Sequence, residues 1–521
     1  VTFLFQLLKI GKKTEVPCTP KRIKLSVEEY HDVERELREP TLRWADDVLD
    51  PDCESYSLHF HNLVVTDYSD DSERRKSERI KGLLDRCQQV ADLIVEGFGE
   101  FDPYSYSERR ASSGESFGFK HGPGAVAERT GNRFDKNLFT NWSAKLEHWF
   151  PFSDYGKMPN SDRIPPSEVE HPARLISVPK TAKGPRLIAA EPSEHMYIQK
   201  LLESWLREKF DESFQGSFIT LRDQSKSGDL ALLGSRDRSL ATVDLSSASD
   251  RLTCYVVERV FRRSPAFLHC LHAARTRTLV DNISSETKTI TLKKFASQGT
   301  AVTFPVQSLV FLICAIASCA KGPIDWHSIN KLRGRVHVYG DDIVIPTHGY
   351  ASLVDLLTTL QLKVNLGKSF SRGHFRESCG VDAFMGFNIT PCAPKTTMLD
   401  GPSSRKAIVD VSNNLHLKGF WHAAAALDST VMDDFLKKIP IKGRESGATG
   451  RVTFSPLKRV QETYVHSTLV NAKFSTCWFG RRVRYNEHLH RYEVSAFTIR
   501  EKTKKKQRSC GYSSMLCFSI E

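Results

Sequence analysis

The fold can be predicted from Val336-His337-Val338-Tyr339-Gly340-Asp341-Asp342-Ile343-Val344-Ile345-Pro346. Residues 336–339 and 343–345 are rich in β-branched and aromatic side chains, and Gly340-Asp341 has the composition of a tight turn. This pattern predicts a β-hairpin with both aspartates at its tip. Neighbouring carboxylates repel, so one would take up a proton unless a cation compensates them, and a divalent metal is the natural compensation. An isolated Gly-Asp-Asp is more simply interpreted as an Asp-rich turn in solvent. The choice between a metal site and such a turn therefore depends on the rest of the chain.

The composition favours a globular protein with a polyanionic partner. The chain has 521 residues, 40% of them hydrophobic, enough for about two to four domains or one large multi-lobed enzyme. Its formal charge of +12 favours nucleic acid, because a basic surface attracts phosphates whatever their sequence. An anionic membrane is the alternative partner. The longest apolar stretch, 302–320, is interrupted by Pro305, Gln307 and Ser308, and this predicts a buried helix.

The cysteines and the N-terminus favour a cytoplasmic protein. The 12 cysteines form neither a Cys-x-x-Cys pair nor a zinc-like Cys/His grouping, which favours reduced thiols. Residues 1–10 are mostly apolar but lack a preceding basic region and a small-residue cleavage site, so no signal peptide is expected.

The motifs are concentrated in the middle of the chain. Residues 1–113 mix charged helical stretches with Pro-containing breaks and carry no catalytic pattern. After a glycine-rich loop, strand-like and helical runs alternate up to about residue 395, as in an α+β core. The last portion, 396–521, ends in a basic run that is most often a solvated tail.

A third carboxylate is predicted to lie beside the hairpin. Residues 240–250 read as a strand ending at Asp244, a small-residue turn, and Asp250 at the start of a helix. If this strand neighbours the hairpin, Asp244 joins Asp341 and Asp342. Three carboxylates could hold two Mg²⁺ ions, one activating a 3′-hydroxyl and the other steadying the leaving pyrophosphate. Capping of the following helix is an equally good reading of Asp250 on local grounds.

A cluster of cations could bind a triphosphate. Arg174, Lys180, Lys183 and Arg186 lie around turn residues, and such side chains offset charge on a transferring phosphoryl group. Solvated surface charge is the alternative reading of this patch.

Two further segments are candidates for substrate contact. Ser297 and Gly299 lie in a small-residue loop that would let the backbone approach a template or an incoming sugar, although a simple helix-entry turn has the same composition. Lys368 is a candidate proton donor to pyrophosphate. Its Gly-Lys-Ser string is not a P-loop, because Leu362 stands where the first glycine must be.

Taken in order, these motifs resemble the replicase subunit of small positive-strand RNA bacteriophages. The order is a basic clamp, Asp244 and Asp250, Ser297-Gln298-Gly299, Tyr339-Gly340-Asp341-Asp342, Lys368 and Phe375-Arg376-Glu377-Ser378-Cys379-Gly380. Gly-Asp-Asp occurs in many RNA polymerases, whereas the last string is narrow to the phage replicases and their close relatives. The resemblance covers about residues 115–395 well and both ends poorly.

The resemblance implies an α+β right-hand polymerase fold with an antiparallel-sheet palm. The implied divisions are an accessory region 1–113, fingers 114–239, a palm 240–395, and a thumb with a basic tail 396–521. The implied reaction is RNA-templated RNA synthesis.

The resemblance also assigns roles to residues. The implied metal ligands, for two Mg²⁺ ions or Mn²⁺, are Asp244, Asp341 and Asp342, and Lys368 would be a general acid. Asp250 would probe the ribose 2′-hydroxyl, and the residues implied to contact nucleotide phosphates are Lys180, Lys183 and Arg186. The broader polymerase pattern has an Asn after the Ser-x-Gly loop, and its absence here leaves sugar selection open.

The implied partners are RNA template and product, nucleoside triphosphates, host translation elongation factors Tu and Ts, and a ribosomal RNA-binding protein. No membrane is expected, and the implied location is the cytoplasm of the infected bacterial host.

Two rival functions share part of this pattern. Reverse transcriptases also carry paired aspartates, but exclude ribose with a bulky aromatic shortly after the first catalytic aspartate. Residues 246–249 are Ser, Ser, Ala and Ser, which favours ribonucleotides. A non-catalytic viral RNA-binding protein would explain the charge but leave the ordered carboxylates unexplained.

Overall fold

A computed structural model describes most of the chain before residue 395 and shorter segments after it. The described residues are 1–13, 18–49, 58–63, 70–112, 121, 124–128, 136, 139, 141–156, 169–181, 184–284, 286–394, 404–430, 439, 441–442, 450–452, 477–478, 481–486, 491–494, 500–503 and 516–519. They form two compact units. The first comprises Val1–Pro17, Pro179–Lys183 and Pro391–Glu521, and the second Cys18–Val178 and Gly184–Thr390.

The described helices occur throughout both units. They are α1 Thr2–Lys9, α2 Pro20–Glu36, α3 Asp71–Gly97, α4 Pro103–Ser112, α5 Ala144–Trp149, α6 Phe152–Tyr155, α7 Ser193–Phe214, α8 Ser225–Asp237, α9 Cys254–Val260, α10 Pro265–Ala274, α11 Thr303–Cys319, α12 Trp326–Asn330, α13 Tyr350–Thr359, α14 Ser404–Leu417 and α15 Trp421–Asp428. Short 3₁₀ turns lie at Ile10–Lys13, Phe60–Leu63 and Thr347–Gly349.

The described strands form several small sheets. They are β1 Ala173–Thr181, β2 Gly184–Ala190, β3 Leu240–Val243, β4 Leu245–Ser246, β5 Thr278–Asp281, β6 Lys288–Thr291, β7 His337–Tyr339, β8 Asp342–Pro346, β9 Lys363–Val364, β10 Phe375–Ser378, β11 Val381–Phe384, β12 Phe387–Asn388, β13 Ile441–Lys442, β14 Arg451–Val452, β15 Cys477–Trp478, β16 Arg481–Asn486, β17 Arg491–Val494, β18 Arg500–Thr503 and β19 Leu516–Ser519.

A three-stranded antiparallel sheet of order β3-β8-β7 belongs to the second unit. Its strands are short and almost wholly buried, and most of their residues are apolar. Helix α11 packs on β7 and β8 and is itself buried along nearly its whole length. The predicted buried helix at 302–320 is therefore confirmed, with its polar Ser308 hydroxyl donating to the Phe304 carbonyl.

A second sheet of the same unit has the order β2-β1-β5-β6 and packs against α2. Helix α2 begins where Pro20 follows Thr19, whose hydroxyl accepts the backbone N–H of Arg22. Its buried face presents Val27 and Tyr30 to apolar residues of the sheet. The N-terminal region thus supplies one side of a hydrophobic core.

In the first unit, α1 is tied to the chain beyond the second unit by a buried amide. The side chain of Gln6 donates to the carbonyl of Cys392 at 2.8 Å and accepts its N–H at 2.7 Å. Phe3 packs edge-on against Phe420 with ring centroids 5.5 Å apart. Both contacts join segments far apart in sequence.

The predicted α+β class and the antiparallel sheet at the hairpin are confirmed. In the part of the chain that the structure describes, no helix is both long and apolar enough to cross a membrane. The divisions at residues 113, 239 and 395 stay predictions. Lys183 and most of the basic run after residue 503 lie outside the described residues.

Candidate active site

The Gly-Asp-Asp segment forms a two-residue hairpin turn. Tyr339 pairs with Asp342, which leaves Gly340 and Asp341 as the turn residues. Gly340 has a φ of 63°, and a Cβ there would lie 2.5 Å from Cε2 of Phe304. Its N–H donates to the Ser308 hydroxyl at 3.1 Å. Both the backbone angle and the packing on α11 therefore require glycine.

Strand β3, which Asp244 directly follows, lies beside this hairpin. Strand β3 pairs antiparallel with β8, and the last pair is Val243 with Ile343. The next residue on each strand is an aspartate, so Asp244 lies across from Asp342, one residue from the turn. The structure thus brings the three predicted carboxylates to one end of the sheet.

Polar side chains from the 365–369 turn hold Asp244. Asn365 donates from Nδ2 to Oδ2 of Asp244 at 2.8 Å, and Lys368 Nζ lies 3.4 Å from the same oxygen. Burial, together with Asp341, raises the pKa of Asp244, while Lys368 and Asn365 oppose the shift. Burial lowers the pKa of Lys368, but Asp244 and neighbouring carboxylates outweigh it, so that pKa lies above its ordinary value.

The surroundings of Asp342 disfavour the ionised form of its carboxyl group. Burial, followed by the charges of Asp341, Glu377 and Asp244, raises its pKa to about 6. The Cys379 N–H opposes this shift, and the Ser378 hydroxyl lies 3.5 Å from Oδ1.

These residues fit divalent cations by their chemistry. Clustered carboxylates in which burial and mutual repulsion resist ionisation are stabilised by a hard cation with oxygen ligands. Among the described residues, the groups with three ligand atoms all within 4.8 Å of one another do not include Asp244, Asp341 and Asp342. One ion could not bridge all three without movement, whereas two ions sharing ligands span a wider set.

The Phe375–Gly380 string forms the hairpin that supports this site. It comprises β10 and a turn in which Cys379 and Gly380 both have positive φ, the pattern of a type I′ turn. Arg376 is fully buried and donates to the carbonyl of Leu240, the first residue of β3, at 2.6 Å. Arg376 therefore fixes the strand that carries Asp244 and has a structural role.

Asp250 does not cap a helix. Helix α9 begins at Cys254, and its N-cap is Thr253, whose hydroxyl accepts the N–H of Val256 at 3.2 Å. The capping interpretation of Asp250 is therefore wrong. Its carboxylate instead lies 3.4 Å from Nζ of the fully buried Lys294.

The loop containing Ser297 and Gly299 is fixed from three directions. Gly299 has a φ of 118°, and a Cβ there would lie 2.1 Å from the carbonyl oxygen of Ala189. The hydroxyl of Thr300 donates to the buried Glu191 at 2.7 Å, and that of Ser297 lies 2.8 Å from the Tyr30 hydroxyl. The loop is thus more than a simple helix-entry turn.

The predicted phosphate-binding cations lie on or beside the β1–β2 connection. Lys180 is exposed on β1 and Arg186 on β2. Lys183 lies outside the described residues. Phosphate contact by these three stays a prediction.

Asn365, Lys294 and Tyr30 are site-neighbouring residues that sequence reasoning missed. Asn365 had a local signal, since it is a typical turn residue three positions before the candidate Lys368. Tyr30 and Lys294 had no local signal, because their contacts depend on the packing of α2 against distant segments.

Paired aspartates on an antiparallel hairpin, joined by a third aspartate from the neighbouring strand, form the kind of carboxylate site in which polymerases hold metal ions. A family model described as RNA replicase, beta-chain, matches residues 159–508. The chain belongs to this family.

Named relatives include two phage proteins. The chain is 35% identical over 218 residues to the RNA-directed RNA polymerase subunit beta of Qbeta virus (strain MX1). The matched region covers 42% of this chain and 34% of the relative. The chain is 32% identical over 287 residues to the RNA-directed RNA polymerase subunit beta of Enterobacteria phage SP, which covers 54% of this chain and 45% of the relative. The chain thus matches less than half the length of either relative.

Among solved structures, the RNA-dependent RNA polymerase of a human picorbirnavirus is similar over 47% of this chain and 52% of its own. The sequence identity is 11% and the TM-score is 0.34.

Proposed function

We propose that this chain is an RNA-directed RNA polymerase that replicates the genome of a positive-strand RNA phage. It would join nucleotides by attack of a 3′-hydroxyl on the α-phosphate of a nucleoside triphosphate, releasing pyrophosphate. The observation that carries the proposal is the β3–β8 register, which brings Asp244 beside Asp341 and Asp342. The names of the relatives support it.

In this proposal the three aspartates are the ligands of two Mg²⁺ ions, which Mn²⁺ could replace. Bound ions would activate the 3′-hydroxyl and neutralise charge on the leaving group. Asn365 would orient Asp244 through its 2.8 Å hydrogen bond, as outer partners of metal ligands commonly do.

Lys368 is the proposed general acid. Its neighbouring carboxylates hold its pKa above the ordinary value, which keeps a proton available at Nζ. The side chain is 53% exposed, which leaves its ammonium group accessible from solvent. Proton donation to that leaving group would lower the barrier to its departure.

Other residues would bind the nucleotide. Asp250 would probe the ribose 2′-hydroxyl, with Ser297 and Gly299 forming the loop that approaches the sugar. The side chains proposed to contact the phosphates are those of Lys180, Lys183 and Arg186, because Arg and Lys bind phosphate oxygens with charge-assisted hydrogen bonds.

The proposed setting is the cytoplasm of an infected bacterium. The relatives are named as beta subunits, which supports a complex with other proteins. Elongation factors Tu and Ts and a ribosomal RNA-binding protein are the proposed partners, with RNA as template and product.

The test is nucleotide incorporation by the purified full chain on an RNA template with Mg²⁺. Parallel reactions supply ribo- or deoxyribonucleotides, with and without nucleotide-depleted bacterial extract. We expect ribonucleotide incorporation that depends on template and Mg²⁺ and is stimulated by extract. A chain with Asp244→Asn and Asp341→Asn in the same extract controls for host enzymes.

Two results would contradict the proposal. Equal synthesis by the double variant would mean that the aspartates are not the site. Incorporation of deoxyribonucleotides as efficiently as ribonucleotides would favour a reverse transcriptase instead.

A further inference from the structure

A buried lysine lies behind Asp250. Lys294 is 0% exposed, and its Nζ lies 3.4 Å from Asp250 Oδ1 and 3.3 Å from Glu34 Oε2. The same Nζ lies 3.5 Å from the centroid of the Tyr30 ring. Burial alone would lower the pKa of Lys294, but Asp250, Tyr30 and Glu34 outweigh it and raise that pKa. The lysine is therefore charged and held by three partners.

The same tyrosine contacts the second proposed ribose-site residue. The hydroxyls of Tyr30 and Ser297 lie 2.8 Å apart, and both residues are buried. Tyr30 thus contacts both Ser297 and Lys294, and Lys294 in turn contacts Asp250. One side chain of α2 connects the two loops proposed to contact the sugar.

Glu34, one turn further along α2, fixes the backbone beneath this cluster. Its Oε1 accepts the backbone N–H groups of Lys293 and Lys294. That segment also pairs with the chain just after Asp250, since the Phe295 N–H donates to the Leu252 carbonyl at 2.7 Å. The spacing between the two loops is therefore set by hydrogen bonds.

The arrangement has a cost that packing alone does not explain. Burying a charged ammonium and a carboxylate costs several kcal/mol per ion, which their attraction repays only with good geometry, so apolar side chains often stabilise such a site equally well. The Asp250 side chain is 15% exposed to solvent, whereas that of Lys294 is 0% exposed. Fixing the direction of that carboxylate is what an apolar replacement could not do.

We propose that Tyr30, Glu34 and Lys294 are positioning residues that hold Asp250 and Ser297 for ribose recognition, so that helix α2 contributes to selection of ribonucleotides over deoxyribonucleotides. This inference rests on the proposed polymerase function. In this proposal, the three positioning residues contribute to ribose recognition in place of the Asn that this chain lacks after the Ser-x-Gly loop.

The first test is Tyr30→Phe in the full chain, which keeps the ring over Lys294 and removes the hydroxyl. The measurement is the ratio of kcat/KM for a ribonucleotide to that for its deoxy analogue, in the extract-supplemented assay. We expect this ratio to fall roughly three- to tenfold, the size of one lost hydrogen bond. Tyr104→Phe, the same change at an exposed position, should leave the ratio unaltered.

A double-variant cycle tests whether Tyr30 acts through Ser297. If it does, Tyr30→Phe combined with Ser297→Ala should discriminate no worse than Ser297→Ala alone, because the partner is already gone. Fully additive losses would overturn this link.

Lys294→Met tests the other half of the cluster, and thermal unfolding establishes whether the variant is folded. Lys294→Arg should restore part of the discrimination that Lys294→Met loses, while Lys288→Met on exposed β6 should lose none. If Lys294→Met does not fold, the result for Tyr30→Phe decides.

The outcomes separate this inference from the function on which it rests. No template-dependent synthesis by the unmodified chain would overturn the proposed function. Normal synthesis with the same sugar ratio in Tyr30→Phe and the unmodified chain would overturn the positioning role alone.

Discussion

The adjacent aspartates Asp341 and Asp342 have different surroundings. Asp342 begins β8, where burial raises its pKa to about 6. Asp341 is an exposed turn residue, one position closer to the tip. In the proposed metal site a cation would favour the ionised form of Asp342, and Asp341 is the more exposed of these two ligands.

Asp341→Asn should abolish synthesis while leaving RNA binding intact. The amide has nearly the same shape but lacks the negative charge that a metal ligand supplies. Removing the outer partner of a ligand typically costs about 10–100-fold, so losing a ligand should cost at least about 100-fold in incorporation rate. Asp229→Asn, at an exposed position of α8, is the matched control. Retained synthesis in Asp341→Asn would remove it from the ligand set.

Asn365→Leu should raise the Mg²⁺ concentration needed for half-maximal synthesis. Leucine is similar in volume but cannot donate the 2.8 Å hydrogen bond to Asp244. We expect a shift of about 10–100-fold, as for other outer partners of metal ligands. A Mg²⁺ titration measures it, with Asn282→Leu at an exposed position as the control. An unchanged midpoint would mean that Asn365 does not orient Asp244.

At the scale of elements, the hairpin depends on its contact with α11. The turn glycine has both a positive φ and no room for a side chain beside Phe304. Gly373 has almost the same φ, 64°, but nothing lies within 4 Å of an added Cβ. A comparison of the same substitution at Gly340 and at Gly373 therefore separates the effect of backbone strain from that of crowding.

Gly340→Ala should destabilise the protein more than Gly373→Ala. The φ penalty alone is about 1–2 kcal/mol at either position, and crowding adds about 1–3 kcal/mol at Gly340. Thermal unfolding of the two variants should therefore give a lower Tm for Gly340→Ala. Synthesis should also fall in that variant, because the turn that presents Asp341 must shift. Equal Tm values would mean that Phe304 moves aside without cost.

For the whole molecule, sequence reasoning succeeded where the signal is local. The hairpin turn, the buried α11 and the strand at 240–243, which ends one residue before the predicted Asp244, each follow from a few neighbouring residues. The contact between Tyr30 and Ser297 joins residues 267 positions apart, and no local pattern specifies it. Arg376 is by type a surface cation, yet its side chain is buried, and its Nε and Nη1 donate to backbone carbonyls in the core. Such pairings depend on the whole tertiary arrangement.

The segment just after α2 is expected to be necessary for the second unit to fold. Glu258 is fully buried and accepts the N–H groups of Thr41 and Leu42 at 2.7 and 3.0 Å and the indole N–H of Trp44 at 3.0 Å. A chain beginning at residue 50 loses all three donors and the buried Trp44 ring. Each unsatisfied hydrogen bond costs about 1–3 kcal/mol, against a total stability of about 5–15 kcal/mol.

We therefore expect the chain that begins at residue 50 to aggregate or to unfold without cooperativity. A chain that begins at Cys18 retains the second unit's N-terminal residues and should unfold cooperatively. Within the full chain, Trp44→Phe keeps an apolar ring but removes one hydrogen-bond donor to Glu258. This variant should therefore be destabilised less than the chain that begins at residue 50. Thermal unfolding followed by circular dichroism compares the three. Cooperative unfolding of the shorter chain at the Tm of the Cys18 chain would mean that residues 18–49 are dispensable for the fold, and that Glu258 finds its donors elsewhere.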